Sequence, residues 1–369
     1  MARPHDAPGR GRCELRLPGA PVPAAEVAAR RALHGPRARR PGRSAGALPG
    51  ATRAAGGPLV SATPLVEAAG RSAVTLAVPC KSDEPSVART LEALWMCARL
   101  LEKRGHAVRF SVCVNGMRGS AALEQVERFA RTASGAGRTD VLVTERADKA
   151  TAWNRLRAAC DTPWIAFCDA DVEPAPEALV HLAEALESRP EAIVATARLE
   201  PDLAGAGWVA RAAALPHRFD LGVVRGPLYL MRSSAVLRMP EGLLLEDGWL
   251  SAEIGSRGPG AVLSVWSAVV RYRPAATLAD YFRERLRTEA GKIQIRAERR
   301  RRGVPNGPIA RYPWEWMLRS VGPREWPLAA LNLGVRGVAR VAAEIAAWRG
   351  REVAWSTVQT SKSSAPSGK

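Results

Sequence analysis

The chain has 369 residues, of which 47 % are hydrophobic, and its formal net charge is +18. This composition predicts a globular protein with a sizeable core, and the sequence contains no run of about 18 apolar residues, which excludes a membrane-spanning helix. The excess positive charge lies mainly in residues 1–60 and 283–302, whereas the chain between them is nearly balanced. The net charge therefore does not by itself indicate a nucleic-acid-binding surface.

The N-terminal segment and the cysteines bear on the cellular compartment. Arg3, Arg10 and Arg12 are followed by no apolar segment of the kind that a signal peptide needs. The six cysteines form no C-x-x-C pair and have no histidine partners at zinc-finger spacing. This pattern indicates small buried thiols in a reducing compartment. We expect a cytoplasmic protein.

Both ends of the chain are poor in apolar patterning. Residues 1–71 are dense in Arg, Pro, Gly and Ala and show no sustained period of 2 or 3.6 residues. Such a segment buries too little apolar area to offset the entropy lost on ordering, so we predict a disordered arm. A basic tail that contacts acidic lipid or nucleic acid is the alternative. Residues 351–369 are predicted to form a disordered tail.

From residue 73 onward, short apolar runs alternate with helical patterns. The first run is followed by Ser82 and Pro85, which are typical of a helix start, and then by apolar residues at helical spacing as far as Gly105. This alternation predicts βαβ units on a parallel sheet, with ligands at the carboxyl ends of the strands. The predicted strands are residues 73–79, 108–114, 140–144, 164–168 and 192–196, and the predicted helices are residues 87–105, 123–130, 149–159 and 177–186.

The pattern is less regular after residue 196. A turn, a helix and a strand are predicted within residues 241–254 and 261–270, and they complete a catalytic domain of residues 72–275. A helical C-terminal extension is predicted for residues 276–350. It comprises a long basic helix at residues 278–302 and a moderately apolar helix at residues 327–349.

Tryptophan and arginine accompany the last helix. Trp314, Trp316 and Trp326 lie near basic residues, and Arg336 and Arg340 interrupt the apolar residues that follow. Such a composition is typical of a helix at a membrane interface, so peripheral contact with the inner face of an anionic membrane is one hypothesis. A helix packed on the catalytic domain is the alternative.

Two carboxylates follow the most apolar of the predicted strands. Asp169 and Asp171 come directly after Phe167 and Cys168. Unpaired carboxylates at a strand end are costly to bury, whereas a divalent cation that joins them to a diphosphate neutralises charge on both sides. Oxygen ligands favour Mg²⁺ or Mn²⁺ over zinc. The alternative is a pair of aspartates that cap a loop or a helix.

Several separated motifs, taken together, resemble glycosyltransferase family 2, the inverting nucleotide-sugar transferases of the GT-A fold. The resemblance covers residues 74–291 and implies an α/β fold with a Rossmann-like, mixed but mainly parallel sheet and a helical C-terminal extension. The motifs are LAVP at residues 76–79 with DEP at 83–85, KATAWN at 149–154, DAD at 169–171, GPLY at 226–229, ED at 246–247, and ERLRT at 284–288 with Gly291.

The resemblance also implies roles for individual residues. Asp247 is expected to be the catalytic base, with Glu246 beside it, and general-base catalysis is worth about 10²- to 10⁴-fold in rate. Asp169 and Asp171 are expected to hold the metal, and Gly226 is expected on the acceptor side with Tyr229. The residues expected to bind the donor nucleotide are Pro79, Asp83, Glu84, Asn115, Lys149, Asn154, Asp169 and Arg287, with Lys292 as a further cation.

The chain departs from the family pattern at three positions. Asn115 stands where many members carry an aspartate that contacts the base or the ribose, so the nucleotide is open between UDP, GDP and related carriers. Glu284 and Thr288 stand in place of the glutamine and tryptophan of processive members, which argues against polymer synthesis.

His181 and His217 have no evident partner in the sequence and are left out of the predicted site.

The predicted activity is metal-assisted, inverting transfer of a sugar, of the hexosyltransferase type, to a lipid, polysaccharide or small-molecule acceptor. Two alternatives stay open. A nucleotidyltransferase also uses paired carboxylates and a metal on an α/β sheet. A basic nucleic-acid or membrane-binding protein with a degenerate transferase domain would account for the charge, although a nucleic-acid partner is not expected.

Overall fold

The computed structural model describes residues 72–117, 119–132, 138–235, 237–306, 319–351 and 353. The predicted arm at residues 1–71 therefore lies outside the described residues, as do Trp314, Trp316 and all but a few residues of the predicted tail at 351–369.

The described strands form one mixed, mainly parallel sheet with the order β3-β2-β1-β4-β7-β6-β8-β5. β1 lies between β2 and β4 and is parallel to both, with Val74 opposite Val108 on one side and Trp164 on the other. β7 is antiparallel to both of its neighbours. The strands are β1 (Val74–Lys81), β2 (Val108–Asn115), β3 (Thr139–Thr144), β4 (Trp164–Cys168), β5 (Glu173–Pro174), β6 (Val194–Pro201), β7 (Leu228–Arg232) and β8 (Val262–Tyr272).

Helices cover the sheet and follow most of its strands. Side-chain oxygens begin three of them: Ser120, Asp148 and Thr277 each accept a hydrogen bond from the first turn of the helix that follows. The helices are α1 (Val87–Lys103), α2 (Ala121–Arg131), α3 (Lys149–Ala159), α4 (Ala178–Ser188), α5 (Trp208–Ala214), α6 (Glu246–Gly255), α7 (Leu278–Arg301) and α8 (Trp326–Trp348).

The main core lies on both faces of the central strands. β1 and β4 are buried along nearly their whole length because helices cover both faces of the sheet, which explains their continuous apolar sequences. On one face, Trp153 of α3 stacks on Phe167 of β4, with ring centroids 4.8 Å apart. This packing fixes α3 against the strand that carries Asp169 and Asp171 at its end.

The predicted sheet and the mixed strand directions are confirmed. All five predicted strands and all four predicted helices of the alternating region are present, with ends shifted by a few residues. The strand predicted at residues 192–196 begins at Val194 and continues to Pro201. The sequence did not predict α5, β5 or the position of β7 between β4 and β6.

The last two helices pack against each other and against the catalytic domain. Asn332 of α8 is fully buried and donates hydrogen bonds to the hydroxyl of Tyr281 on α7 and to the carbonyl of Ala212 on α5, both at 2.7 Å. The opposite face of α8 exposes Trp326 and Trp348. None of the described helices is long and apolar enough to cross a membrane.

Candidate active site

A cavity of about 380 Å³ opens at the carboxyl ends of β1 and β4. The loop before β7, the start of α6 and one face of α7 form its other walls, and α8 contributes Arg336. In parallel α/β sheets, ligands bind at this end of the strands. The predicted site residues that line the cavity are Pro79, Glu84, Lys149, Asp169, Asp171, Gly226, Glu246, Asp247 and Arg287, together with Lys292.

Lys149 joins two carboxylates that are far apart in the sequence. Its Nζ lies 2.7 Å from Oδ1 of Asp169 and also donates a hydrogen bond to Oε1 of Glu246. Burial alone would lower the pKa of Lys149, but these two carboxylates outweigh burial and raise that pKa above its ordinary value. Lys149 is therefore charged, and it ties the end of β4 to the start of α6.

Asp169 and Asp171 stand side by side at the cavity. Burial raises the pKa of both carboxyls, to about 7 for Asp169, while Lys149 lowers them. Arg287 also lowers the pKa of Asp171 and thus lies within electrostatic range of it. Nε of Arg287 is buried and has no hydrogen-bond partner among the described residues. A cation and two carboxylates thus face the same space.

The donor set at this strand end fits a magnesium or manganese ion that is shared with a substrate. Among the described residues, no three His, Cys, Asp or Glu side chains are grouped closely enough to hold a metal by themselves. Mg²⁺ is commonly held by one or two carboxylates together with phosphate oxygens and water. Asp169 and Asp171 supply such a pair beside a cavity, so they could hold the ion with a diphosphate.

Asp247 lies at the first turn of α6 and is held in place by the loop before β7. A β-carbon at Gly226 would come within 3.3 Å of Cβ of Asp247, so the loop backbone touches this carboxylate directly. Ser251 links the two segments, because its hydroxyl donates to the carbonyl of Asp247 at 2.6 Å and accepts from the amide of Val224 at 3.0 Å. Burial, reinforced by Glu246, raises the pKa of Asp247.

The acidic turn after β1 carries two carboxylates, Glu84 at the cavity and Asp83 at the surface. Glu84 is buried, lines the cavity and accepts a hydrogen bond from the amide of Ser86. Asp83 lies outside the cavity lining and pairs with Lys81 at 3.1 Å, with 55 % of its side chain exposed. Glu84 and Lys81 therefore lie at the cavity and Asp83 does not, and the predicted contact of Asp83 with the nucleotide stays a prediction.

Two predicted site residues, Asn154 and Tyr229, contact other groups of the protein instead of lining the cavity. Asn154 holds the backbone of Met239 through two hydrogen bonds of 2.9 Å, one from its amide nitrogen and one to its oxygen. Tyr229 is buried, accepts a 2.7 Å hydrogen bond from Trp153 and stacks on Phe167. Neither lines the cavity, and Tyr229 belongs to the apolar cluster between the sheet and α3.

Asn115 ends β2 next to Lys81, its partner in the strand register. The side chain is fully buried, and neither amide atom has a hydrogen-bond partner among the described residues. It does not line the cavity, although Lys81 beside it does. Its predicted contact with the nucleotide stays a prediction.

Sequence reasoning missed several residues of the cavity wall. His217 is left out of the predicted site as a lone histidine, yet it lines the cavity together with Arg225, Arg285 and Arg336. Arg225 immediately precedes the motif at residues 226–229, and Arg285 lies within the motif at residues 284–288, which are the local signals for these two. His217 and Arg336 have no such signal, since only the folded chain brings them to the cavity.

Residues 117–229 match the family model described as glycosyl transferase family 2. This segment of the chain resembles glycosyl transferase family 2. It contains Lys149, Asp169, Asp171 and Gly226, and it ends before Asp247 and Arg287. No curated protein sequence matches the chain.

The solved structures that resemble this chain include three glycosyltransferases. A Pyrobaculum calidifontis mannosyltransferase in complex with GDP-Man and Mn²⁺ is 18 % identical, with 77 % of each chain covered and a TM-score of 0.48. Glucosyl-3-phosphoglycerate synthase of M. tuberculosis is 18 % identical over 63 % of this chain and 82 % of its own, with a TM-score of 0.44. S. aureus TarS 1–349 in complex with UDP-GlcNAc is 11 % identical over 76 % and 92 %, with a TM-score of 0.43. At these sequence identities and TM-scores, the likeness does not identify a substrate for this chain.

Proposed function

We propose that this chain is a family 2 glycosyltransferase that moves a hexosyl group from a nucleotide sugar, such as a UDP- or GDP-sugar, to an acceptor hydroxyl with inversion at the anomeric carbon. One observation carries the proposal. Asp169, Asp171 and Arg287, which suit a diphosphate, share a cavity with Asp247, which suits a hydroxyl proton. In a displacement at a sugar carbon, the first set would stabilise the leaving diphosphate and Asp247 would accept the proton of the attacking hydroxyl.

The donor end stabilises a leaving group. When a divalent ion is bound at Asp169 and Asp171, it neutralises charge on the departing diphosphate. Arg287 adds donors that match phosphate oxygens in a fixed plane. Lys149 keeps Asp169 and Glu246 in position through its two ion pairs. Groups fixed in this way need little reorganisation as charge develops.

The acceptor end removes a proton. Asp247 takes the proton of the acceptor hydroxyl while the acceptor oxygen forms a bond to the anomeric carbon, and the bond from that carbon to the diphosphate oxygen breaks. The nucleoside diphosphate leaves with the electron pair. The raised pKa of Asp247 increases its basicity above that of an exposed aspartate. Attack from the side of Asp247, opposite the leaving group, gives inversion.

We also propose that the enzyme works in the cytoplasm and contacts the inner face of an anionic membrane through the exposed side of α8. The exposed side chains of Val338 and Val341 lie between Trp326 and Trp348 on this helix, and Arg340 is beside them. Apolar side chains flanked by tryptophan and arginine favour the surface of an anionic bilayer. Co-sedimentation with vesicles of phosphatidylglycerol, but not of phosphatidylcholine, is the expected result, and equal binding to both would contradict it.

The test of the activity is incubation with UDP- and GDP-sugars and Mn²⁺, with the released nucleotide identified. We expect a nucleoside diphosphate, released slowly to water without acceptor and faster with it. Release of pyrophosphate would support the nucleotidyltransferase alternative. Asp247→Asn should abolish turnover but keep nucleotide binding, while Glu241→Gln, a half-exposed carboxylate outside the cavity, should leave both unchanged.

A further inference from the structure

Three arginines gather at one part of the cavity wall and define a basic sub-pocket. Arg225 comes from the loop before β7, Arg285 from α7 and Arg336 from α8. His217 and Tyr272 lie among them, with ring centroids 5.1 Å apart. Three different elements of the fold thus converge on this sub-pocket.

Arg225 is buried and incompletely paired. Only 7 % of the residue is exposed, Nη2 donates to the carbonyl of Phe219 at 2.6 Å, and the guanidinium lies 5.5 Å from the ring centroid of Trp266. Nη1 is buried with no hydrogen-bond partner among the described residues. A buried guanidinium N–H without an acceptor is costly, so its position at a cavity wall indicates that a ligand supplies the acceptor.

Arg285 and Arg336 are held rigidly around the same space. Arg285 lies 5.7 Å from the ring centroid of Tyr281 and pairs with Glu284, while its Nε is buried without a partner among the described residues. Nε of Arg336 donates to Asn332 at 3.0 Å, and Asn332 in turn holds the hydroxyl of Tyr281. The side chains of Asn332 and Tyr281 therefore hold the guanidinium groups of Arg285 and Arg336 in place. Less conformational entropy is then lost when these arginines bind a ligand.

The charge of this region is unbalanced. The three guanidinium groups interact with the carboxylates of Glu284 and Asp220, so positive charge is in excess. The pKa of His217 is lowered to about 3 by burial and by the charge of Arg285, with Arg225 and Arg336 contributing in the same direction. The histidine is therefore neutral and able to share a hydrogen bond with an anion. An excess of positive charge along a cavity wall favours an anionic ligand.

We propose that the basic sub-pocket binds a phosphate group of the acceptor. Arginine donors match phosphate oxygens in pairs, and three arginines from separate elements line this part of the cavity. Arg225 precedes Gly226, whose backbone touches Asp247, so the anchored group lies next to the base that takes the hydroxyl proton. This inference rests on the proposed function, in which Asp247 marks the acceptor side and Asp171 with Arg287 marks the donor side.

The experiment titrates inorganic phosphate, and then glycerol 3-phosphate, into the full chain saturated with nucleoside diphosphate and Mn²⁺, with calorimetry as the measurement. Arg336→Gln is the variant. Arg340→Gln is its control, one turn further along α8, exposed and paired with Glu344. We expect Arg336→Gln to weaken phosphate binding at least tenfold and Arg340→Gln to change it less than twofold. Arg336→Lys, which keeps the charge but not the planar donors, should lie between them.

Vesicles distinguish the two sources of such a phosphate. If Arg336→Gln lowers binding to vesicles containing phosphatidic acid and Arg131→Gln, an exposed arginine on α2 that pairs with Glu127 outside the cavity, does not, the acceptor phosphate belongs to a lipid. If only soluble phosphates depend on Arg336, the acceptor is a small phosphorylated molecule. Both outcomes support the proposal.

Three results would overturn the inference. Phosphate could fail to bind the nucleotide-saturated protein, it could bind only by displacing the nucleotide, or both variants could lose binding equally. A thermal melt of each variant, with and without nucleotide, shows that it is folded. Nucleotide binding and slow donor hydrolysis in the same samples report on the proposed function separately, since both can persist when phosphate fails to bind.

Discussion

Gly291 on α7 lies against Leu245, the residue that precedes Glu246 and Asp247. A β-carbon at Gly291 would come within 2.4 Å of Cβ of Leu245 and within 3.1 Å of its backbone nitrogen. The absence of a side chain at Gly291 therefore lets α7, with Arg287 one turn earlier, approach the segment that carries Asp247, the proposed catalytic base.

Replacing that glycine should push α7 away from the base. Gly291→Ala is expected to destabilise the fold by about 1–3 kcal/mol, as overpacking in a core does, and to lower turnover as well. Urea unfolding and donor hydrolysis measure the two effects. Gly337→Ala on α8 is the control, because nothing lies within 4 Å of the added carbon, and it should stabilise the helix by about 0.5–1 kcal/mol. Equal behaviour of the two variants would contradict the proposed contact.

Gly226→Ala should affect the reaction more than the fold. The added methyl group would crowd Asp247, with its β-carbon 3.4 Å from Oδ2, and so displace the carboxylate from the acceptor. We expect kcat to fall at least tenfold with nucleotide affinity unchanged. Gly207→Ala, which meets no atom within 4 Å, should keep wild-type kcat. A wild-type rate for Gly226→Ala would count against Asp247 as the base.

Removing Lys149 should lower the stability of the fold, because the two carboxylates that it joins lose their shared cation. In Lys149→Met, Asp169 and Glu246 lose their shared cation while they stay mostly buried, so the free energy of unfolding should fall by on the order of 2 kcal/mol. Denaturant titration measures this. Lys81→Met removes an ion pair to the exposed Asp83 and should change stability by less than about 1 kcal/mol. A loss of similar size in both variants would contradict the buried network.

Asn154→Ala separates a structural role from a nucleotide-binding one. The substitution removes both hydrogen bonds to the backbone of Met239, so the fold should lose about 1–3 kcal/mol. The KM for the donor sugar should not change, because the side chain does not reach the cavity. A raised KM with unaltered stability would restore the sequence-based assignment of Asn154 to the nucleotide site.

Metal dependence should follow Asp171. Chelation with EDTA is expected to stop donor hydrolysis by the wild type, and added Mn²⁺ should restore it. Asp171→Asn should need at least tenfold more Mn²⁺ for half-maximal rate, since one anionic ligand is lost. Asp161→Asn, an exposed carboxylate paired with Arg109 outside the cavity, is the matched control and should keep the wild-type requirement.

The sequence predicted best those parts of the fold that follow from local pattern. β1 and β4 were predicted because both of their faces are buried and their residues are apolar throughout. The N-terminus of α3 was predicted at Lys149, where Asp148 caps the helix. Asp169 and Asp171 were predicted because carboxylates that follow a buried strand are unusual without a ligand.

The other features of the site depend on contacts between distant parts of the chain, which no local sequence pattern predicts. Arg336 reaches the cavity only because Asn332, on the previous turn, is buried against α5, more than a hundred residues away. Tyr229 lies within a family motif, but strand alternation turns its side chain toward α3 rather than the cavity. A motif gives the residue type and its position in the chain. The face of the sheet to which the side chain points depends on how the strand pairs with its neighbouring strands.

The contribution of α8 to the cavity has a consequence for how such an enzyme could diversify. Asp169, Asp171 and Arg287, proposed to serve the sugar nucleotide, lie at the end of β4 and on α7, whereas Arg336 comes from the last helix described. If the proposed roles hold, exchanging that terminal helix between homologues changes which molecules receive the sugar and conserves the donor chemistry. Chimeric chains joined after α7 are then a direct route to enzymes with new products.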